Sequence, residues 1–399
     1  MGKRIGLALL VLVCLLALTG CQCEHSWEDA TCEVAQTCSK CGQIQGLTEK
    51  HNWKDATCIT PKTCTKCGAT EGEALGHASV TYSYVNNVHT FTCDVCGEVA
   101  FTKTEGKKFN FSSVAPALSD DIVMTYTVRL PAGFELSYVT FELNGETTYA
   151  YEWESYVSGG VNYANVKFPG LNPQKMGDAI NATAYAIVDG YTVSVSKENF
   201  GFVDYCNLIM DKAPSESLRV ILSNVLVYGA KTQAYQGYKL EEPILDKVTF
   251  ELNATPLNNV PTDLNVMKMV GTTNQAVKFS SVGLVLSGKM TMRYTIKTTT
   301  PENYTYRITI NGVNYDYTAE DLVADENTAG VYYLNFDQIK ATQFGLTITA
   351  CFLENGVQTS KALEYSVYSY VAMNQGTGDA ALADLLKAIY NYGESAKNV

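Results

Sequence analysis

Between His25 and Gly97 the chain concentrates side chains that can hold a soft metal ion. His25, Trp27, Asp29, Ala30, Thr31, Cys32, Thr37, Cys38, Lys40, Cys41 and Gly42 recur at the same spacing as His51, Trp53, Asp55, Ala56, Thr57, Cys58, Thr63, Cys64, Lys66, Cys67 and Gly68. A degenerate third unit supplies His77, His89, Cys93, Cys96 and Gly97, so all 4 histidines and most of the 13 cysteines fall in one segment. Each unit carries a Cys-x-x-Cys pair followed by Gly. A tight turn of this kind brings two thiolates to one ion, and Gly accepts the positive φ that aims backbone N–H groups at the sulfurs.

Two groupings of these ligands are open. Reading each His with the cysteines after it gives His25, Cys32, Cys38 and Cys41, then His51, Cys58, Cys64 and Cys67, then His77, His89, Cys93 and Cys96. Every site then has four ligands, and Cys23 is left unassigned. The opposite grouping joins Cys32, Cys38 and Cys41 to His51, and Cys58, Cys64 and Cys67 to His77; it strands His25 and leaves the last site short. Charge favours the first, since Cys₃His around Zn²⁺ is net negative and Cys₂His₂ is neutral. Lys40 and Lys66 sit inside the first two knuckles, while Asp94 and Val95 occupy the third. Four protein ligands leave no open position for water, which indicates structural zinc, two or three ions in all. Units this short cannot bury a core and would be held by metal. A disulfide framework is the alternative, but it does not explain why a His recurs with each cysteine set.

These units resemble the short zinc-ribbon-like Cys/His repeats of uncharacterised surface proteins from anaerobic Gram-positive bacteria. The N-terminus fits that resemblance. Lys3 and Arg4 precede an apolar run from Ile5 to Leu18, the length of an export signal and short for a membrane span. It ends in Leu18-Thr19-Gly20-Cys21, similar to the lipobox of bacterial lipoproteins. The resemblance implies removal of residues 1–20, lipidation of Cys21, and an extracytoplasmic protein anchored to the cell membrane by its acyl chains.

A net charge of −12 repels phosphate backbones, and no basic cluster reverses this locally, so nucleic acid is excluded as a partner. From residue 107 cysteine nearly vanishes, and apolar alternation with turn dipeptides takes over. A long repeat follows: Phe111-Ser112-Ser113-Val114, Met124 and Tyr126-Thr127 return as Phe279-Ser280-Ser281-Val282, Met292 and Tyr294-Thr295. Asn144-Gly145 and Asp189-Gly190 answer Asn311-Gly312 and Asn355-Gly356 as two-residue hairpin turns. The pattern predicts two immunoglobulin-like β-sandwich modules, over residues 107–240 and 241–399, behind a Cys/His array over 21–106. Strands are expected at Thr147–Trp153, Asn165–Phe168 and Ala362–Val367 among others, and Val248–Leu252 is expected to open the second module. Each module should close with a helix whose apolar stripe, Leu218, Leu222, Val225, Tyr228 and again Leu382, Leu386, Ile389, Tyr392, faces the sheets and stops at Gly229 or Gly393 as C-cap. The Asn391-Tyr392-Gly393 ending resembles that of uncharacterised β domains in the same surface proteins. The expected fold is therefore mainly β.

The absence of His outside the array removes Ser-His-Asp and Cys-His catalysis from the modules, and phosphate-loop and metalloprotease motifs are missing. Glu152 and Glu154 could share a strand face as a carboxylate pair, although a solvated face accounts for them more simply. Cys206 and Cys351 read as buried free thiols. Tyr149, Tyr151 and Trp153 alternate along a strand, with Tyr315 and Tyr317 in the second module. Such rings could stack on sugars, while an inward sandwich face explains the same alternation. The expectation is a non-enzymatic binding or display protein for an extracellular protein or glycan. Its rivals are a zinc-capturing or zinc-storing lipoprotein and an accessory module of a glycan-active enzyme.

Overall fold

The computed structural model describes residues 23–104, 106–118, 122–258, 260–261, 268–269, 276–359 and 362–398. The protein is mainly β, in two compact units that divide between Lys103 and Thr104.

The first unit is three small antiparallel sheets: Trp27–Glu28 with Gln36–Cys38 and Ile44–Gln45, Trp53–Lys54 with Lys62–Cys64 and Thr70–Glu71, and Val80–Val85 with Val88–Cys93 and Val99–Lys103. In each, the central strand ends on a cysteine that opens the knuckle, and Gly42, Gly68 and Gly97 follow with φ of 75°, 77° and 75°. The first two repeats have no aliphatic core. Ile44, Leu47, Ile59 and Leu75 are exposed, whereas Cys32, Cys38, Cys58 and Cys64 are buried. The third has a longer hairpin and an aromatic core, with Phe91 stacked on Phe101 at 4.0 Å.

In the second unit, the first module pairs Asn110–Ala117 (β1), Val123–Leu130 (β2), Val161–Phe168 (β6) and Glu154–Ser158 (β5) in the order β1-β2-β6-β5. The facing sheet holds Glu135–Leu143 (β3), Glu146–Ala150 (β4), Asn181–Val188 (β7) and Tyr191–Lys197 (β8) in the order β4-β3-β7-β8. Between them Tyr126, Phe141 and Phe168 pack ring on ring, at 5.0 Å and 5.2 Å. The second module repeats the plan, with Val277–Val285, Thr291–Thr298, Val331–Phe336 and Val323–Ala324 facing a sheet built on Thr305–Ile310, Val313–Tyr317, Ile348–Glu354 and Leu363–Tyr365. The repeated Phe-Ser-Ser-Val makes the same β-bulge twice, at Phe111/Ser113 and Phe279/Ser281. Asn144, Asp189, Asn311 and Asn355 all take positive φ, as their hairpin turns require.

Several expected elements move. Residues 151–153 leave the strand and cross to the other sheet, Val248–Leu252 forms no strand, and Ala362–Val367 shortens to Leu363–Tyr365 before a helix begins. The closing helices also differ. Phe202–Met210 (α1) precedes Glu216–Gln236 (α2), and Val367–Asn374 (α3) precedes Ala380–Ala396 (α4). Gly229 and Gly393 lie inside α2 and α4; the first of these helices ends at Gly237 (φ 63°). The two interior glycines serve close approach. A Cβ at Gly229 would lie 2.7 Å from Met176 Sδ, and one at Gly393 2.8 Å from Phe344 Cδ2.

The helix faces expected to pack on the sheets also bring the two helices together. Tyr228 stacks on Tyr392 at 5.7 Å, Lys231 pairs with Asp384 at 2.7 Å, and Asn224 Nδ2 donates to the Asn391 carbonyl at 3.4 Å. Both modules, expected over 107–240 and 241–399, lie within the second compact unit, where α2 and α4 pack against each other. Cys206 in α1 and Cys351 in Ile348–Glu354 are buried free thiols.

Candidate metal centres and an exposed aromatic face

Three clusters bring four ligand atoms within 4.8 Å of one another: Cys23, His25, Cys38 and Cys41; Cys32, His51, Cys64 and Cys67; Cys58, His77, Cys93 and Cys96. This corrects both groupings read from the sequence. Each His does serve the knuckle that follows it. The lone cysteine of each unit instead crosses forward, Cys32 to the second knuckle and Cys58 to the third. Cys23, unassigned above, completes the first. The chain direction explains the exchange: after its short sheet each repeat runs on to the next knuckle, and the Glu49 N–H donates to the Thr31 carbonyl at 2.8 Å, tying that exit beside Cys32.

Among the described residues His89 joins none of these clusters. It is buried at 0% exposure in the third hairpin, its Nδ1 3.1 Å from the Tyr82 hydroxyl. Its spacing from Cys93 fits a ligand, but in a strand His89 pairs with Tyr84 and packs among aromatic rings at 4.7 Å and 5.9 Å. All three clusters are therefore Cys₃His.

The distances suit one ion each. Sulfurs bonded to a tetrahedral ion at ~2.3 Å stand ~3.8 Å apart. Here Cys23–Cys38, Cys32–Cys64 and Cys58–Cys93 are 3.9, 3.8 and 3.7 Å apart. The Nδ1 atoms of His25, His51 and His77 lie 3.4, 3.4 and 3.7 Å from Cys41, Cys67 and Cys96. A disulfide needs ~2.05 Å, and every described cysteine is a free thiol. His25 and His51 stack on Trp27 and Trp53 at 4.8 Å, which fixes both rings.

Each cluster contains thiols of opposite tendency. Burial opposes ionisation of Cys38, but hydrogen bonds from His25 and from the N–H groups of Lys40, Cys41 and Ser26 bring it down to about 5. Cys64 reaches about 5 the same way, burial being outweighed by the Cys67 and Lys66 N–H groups and His51. The Cys96 N–H, His77 and the Val95 N–H bring Cys93 to about 6. Burial and then the neighbouring Cys64 or Cys93 push Cys32 and Cys58 up to about 11; Cys23 rises to about 11 through its hydrogen bond to Cys41 and its own burial. One knuckle thiol in each cluster is thus biased towards the thiolate, and the forward-crossing thiol, or Cys23, would give up its proton to join it around a cation.

The first module presents a second feature. Tyr149 and Tyr151 are 56% and 66% exposed, so they do not form the inward face of the sandwich. Their planes lie within 9° of parallel at 6.2 Å, each 6.0 Å from Tyr138, which stacks on Tyr185 at 4.5 Å. Tyr138 and Tyr185 escaped the sequence reading, although their alternation with buried Val139 and Ala184 marks the outer face. The Thr183 and Ser196 hydroxyls hydrogen-bond on the same face at 2.9 Å. Beside it opens a shallow cleft of about 540 Å³, lined by Tyr149, Tyr151, Trp153, Glu152, Asn165 and Lys167 among others.

Tyr315 and Tyr317 are not its counterparts. Opposite Ile308 and Tyr306, they point inward and are half-buried, with Tyr315 edge-on to Phe336 at 5.2 Å. Counting from Gly145 and Gly312, Tyr149 matches Asp316, which holds Arg307 through two bonds of 2.6 Å. A one-residue offset reverses the face of a strand side chain. Glu152 and Glu154 do not share a strand face: Glu152 lies in the crossover, and Glu154 opens β5, paired with Lys167 at 3.0 Å. Cys21 lies outside the described residues. No helix among those described is long and apolar enough to cross a membrane. The chain matches no protein-family model and no curated protein.

Proposed function

We propose that the protein is a non-enzymatic, lipid-anchored surface protein, stiffened at its N-terminus by three structural zinc ions, that binds an extracellular glycan through its first β module. The observation that carries this reading is the exposed, near-parallel Tyr149–Tyr151 pair on a sheet face that also offers hydroxyls. Flat rings edged by hydroxyls, amides and carboxylates suit sugars, whose C–H faces stack while their hydroxyls hydrogen-bond. Full coordination by Cys₃His supports structural metal over a catalytic or transport site, because no ligand position is left for water or exchange. Anchorage at Cys21 supplies the membrane partner.

The test is retention on a panel of insoluble cell-wall and plant polysaccharides. Wild-type protein should bind at least one of them, and Tyr149→Ala with Tyr151→Ala should release it. Equal retention of the double variant would remove the aromatic face from the function.

A further inference from the structure

A cavity of about 310 Å³ opens where the two β modules meet, inside the second compact unit. Equivalent positions of the two modules line it in pairs. Ile122 and Met290 each stand two residues before a repeated methionine, Met124 or Met292; Leu171 and Ile339 each stand two residues before a short helical turn, Pro173–Lys175 or Ala341–Gln343; Tyr228 and Tyr392 each precede a close-approach glycine. Loose packing does not account for the space, because beside it Gly229 and Gly393 have no room for a Cβ. Interiors leave few voids larger than one water, whose share of liquid volume is ~30 Å³. Part of the rim is also held in place. In the segment that brings Gly288 and Lys289 to the cavity, the Leu286 and Ser287 carbonyls accept from Gln236 Nε2 at 3.1 Å and from Gln174 Nε2 at 3.2 Å.

The lining narrows the ligand. Leu171, Met290, Ile339, Phe344, Tyr228 and Tyr392 are all buried, and the Tyr392 hydroxyl is already spent on the Leu118 carbonyl at 3.0 Å. Among the described residues that line the cavity, the charged ones are Lys167 and Lys289, both cations. Their acidic partners stand outside the lining, Glu154 at 3.0 Å from Lys167 and Asp337 at 3.3 Å from Lys289. Both pairs are exposed, and exposed pairs hold little net energy, so either ammonium can turn to a carboxylate presented from the cavity.

We propose that this junction cavity binds a small apolar monocarboxylic acid, of about ten non-hydrogen atoms at the ~30 Å³ that each water takes in the liquid. Its apolar body lies against Tyr228, Tyr392 and Phe344, and its carboxylate meets Lys289 and Lys167 at the rim. A single module carries one member of each lining pair, so the duplication itself creates the site. Lys167 and Pro169 also line the Tyr149–Tyr151 cleft, but the cavity does not depend on glycan binding there.

Equilibrium dialysis of the chain from Cys21 onward, made without lipid so that no detergent competes, tests the proposal. The probes are octanoate and 3-phenylpropionate, a chain and a ring of similar size, with octan-1-ol and octylamine as the neutral and cationic comparisons. At least one acid should bind at one site per chain, and octanoate at least tenfold tighter than the alcohol or the amine. In methyl NMR the bound acid should shift the signal of Met290 and leave that of Met373, 54% exposed, in place. Lys289→Gln, which leaves the Tyr149–Tyr151 cleft intact, should weaken the acids about tenfold and leave octan-1-ol unchanged. Gly288 has no positive φ, and a Cβ there comes no nearer than 3.4 Å to a neighbour, Asn172 Oδ1. Gly288→Phe should therefore fold, as circular dichroism would confirm, block the rim and abolish binding, while retention on polysaccharides is unchanged. Binding of neither acid, an unmoved Met290 signal, or undiminished binding by folded Gly288→Phe overturns the site. Octan-1-ol or octylamine bound as tightly as octanoate, or an acid unaffected by Lys289→Gln, overturns the carboxylate assignment.

Discussion

The Cys32 sulfur lies 3.8 Å from the Cys64 sulfur, in a cluster completed by His51 and Cys67. The two cysteines come from different sequence repeats, so the repeat that is visible in the chain and the cluster that could hold one ion are not the same object.

This offset makes Cys32→Ser and His25→Ala separable. Cys32→Ser should remove about one ion per chain from the second cluster and disturb the environment of Trp53, which His51 stacks on, while Trp27 is unchanged. His25→Ala should remove about one ion and disturb Trp27. Metal analysis with fluorescence of single-tryptophan variants reads both; a change at Trp27 in Cys32→Ser would restore the sequence grouping. His89→Phe should leave metal content at its wild-type value and cost about 1–3 kcal/mol through the buried bond to Tyr82.

Loading the array should release protons. At neutral pH the thiols held near 5 to 6, Cys38, Cys64 and Cys93, are ionised, whereas Cys23, Cys32 and Cys58, raised to about 11, are protonated. Each ion must then displace at least one proton, so affinity falls as pH drops through the neutral range, by about tenfold per unit for each proton released. Zinc titrations in buffers of different ionisation enthalpy measure this directly. A proton count of zero at pH 7 would mean that the forward-crossing thiols do not bind.

Asp178 sets an acid limit on the first module. Burial opposes its charge, yet hydrogen bonds from Asn144, Tyr238 and Lys239 hold its carboxyl below the usual carboxylate value. A depressed folded value means that this stabilisation is complete above the unfolded pKa of about 4 and is lost as pH falls through the lower folded one. Asp178→Asn should cost about 1–3 kcal/mol at neutral pH and flatten the loss of stability below pH ~4. Thermal denaturation of both proteins across that range would show it, and parallel curves would refute it.

Gly229→Ala and Gly393→Ala should destabilise the second unit by about 1–3 kcal/mol each, although Ala favours helix. The added methyl would strike Met176 in one case and Phe344 and Tyr368 in the other. Stabilisation on chemical denaturation would show that Met176, Phe344 and Tyr368 can move aside freely.

Cys21→Ala should release the protein from the membrane fraction with the β modules still folded. Fractionation of producing cells checks this, and a variant that stays in the pellet argues for another anchor.

The sandwiches were legible because strand alternation and Asn-Gly or Asp-Gly turns are local signals, and the duplicated Phe-Ser-Ser-Val fixed their equivalence. Gly229 and Gly393 misled for the opposite reason. A glycine after an apolar stripe reads as a cap, and only the neighbouring Met176, Phe344 and Tyr368 reveal it as a point of contact. The ligand types were equally plain in the array, but Cys32 and Cys58 are partnered across a repeat boundary, which spacing within one repeat cannot express. His89 has ligand spacing and a core position. Tyr315 resembled Tyr149 until the register from the preceding turn placed them on opposite faces.

Because Cys32 and Cys58 reach forward, a metal-loaded array is spanned twice at each junction: by the peptide backbone and by a metal–thiolate bond in parallel with it. Bending or stretching one junction must strain both. Three small sheets with almost no aliphatic core would then resist tension as linked rings do, and withdrawal of zinc would leave each junction held by the backbone alone.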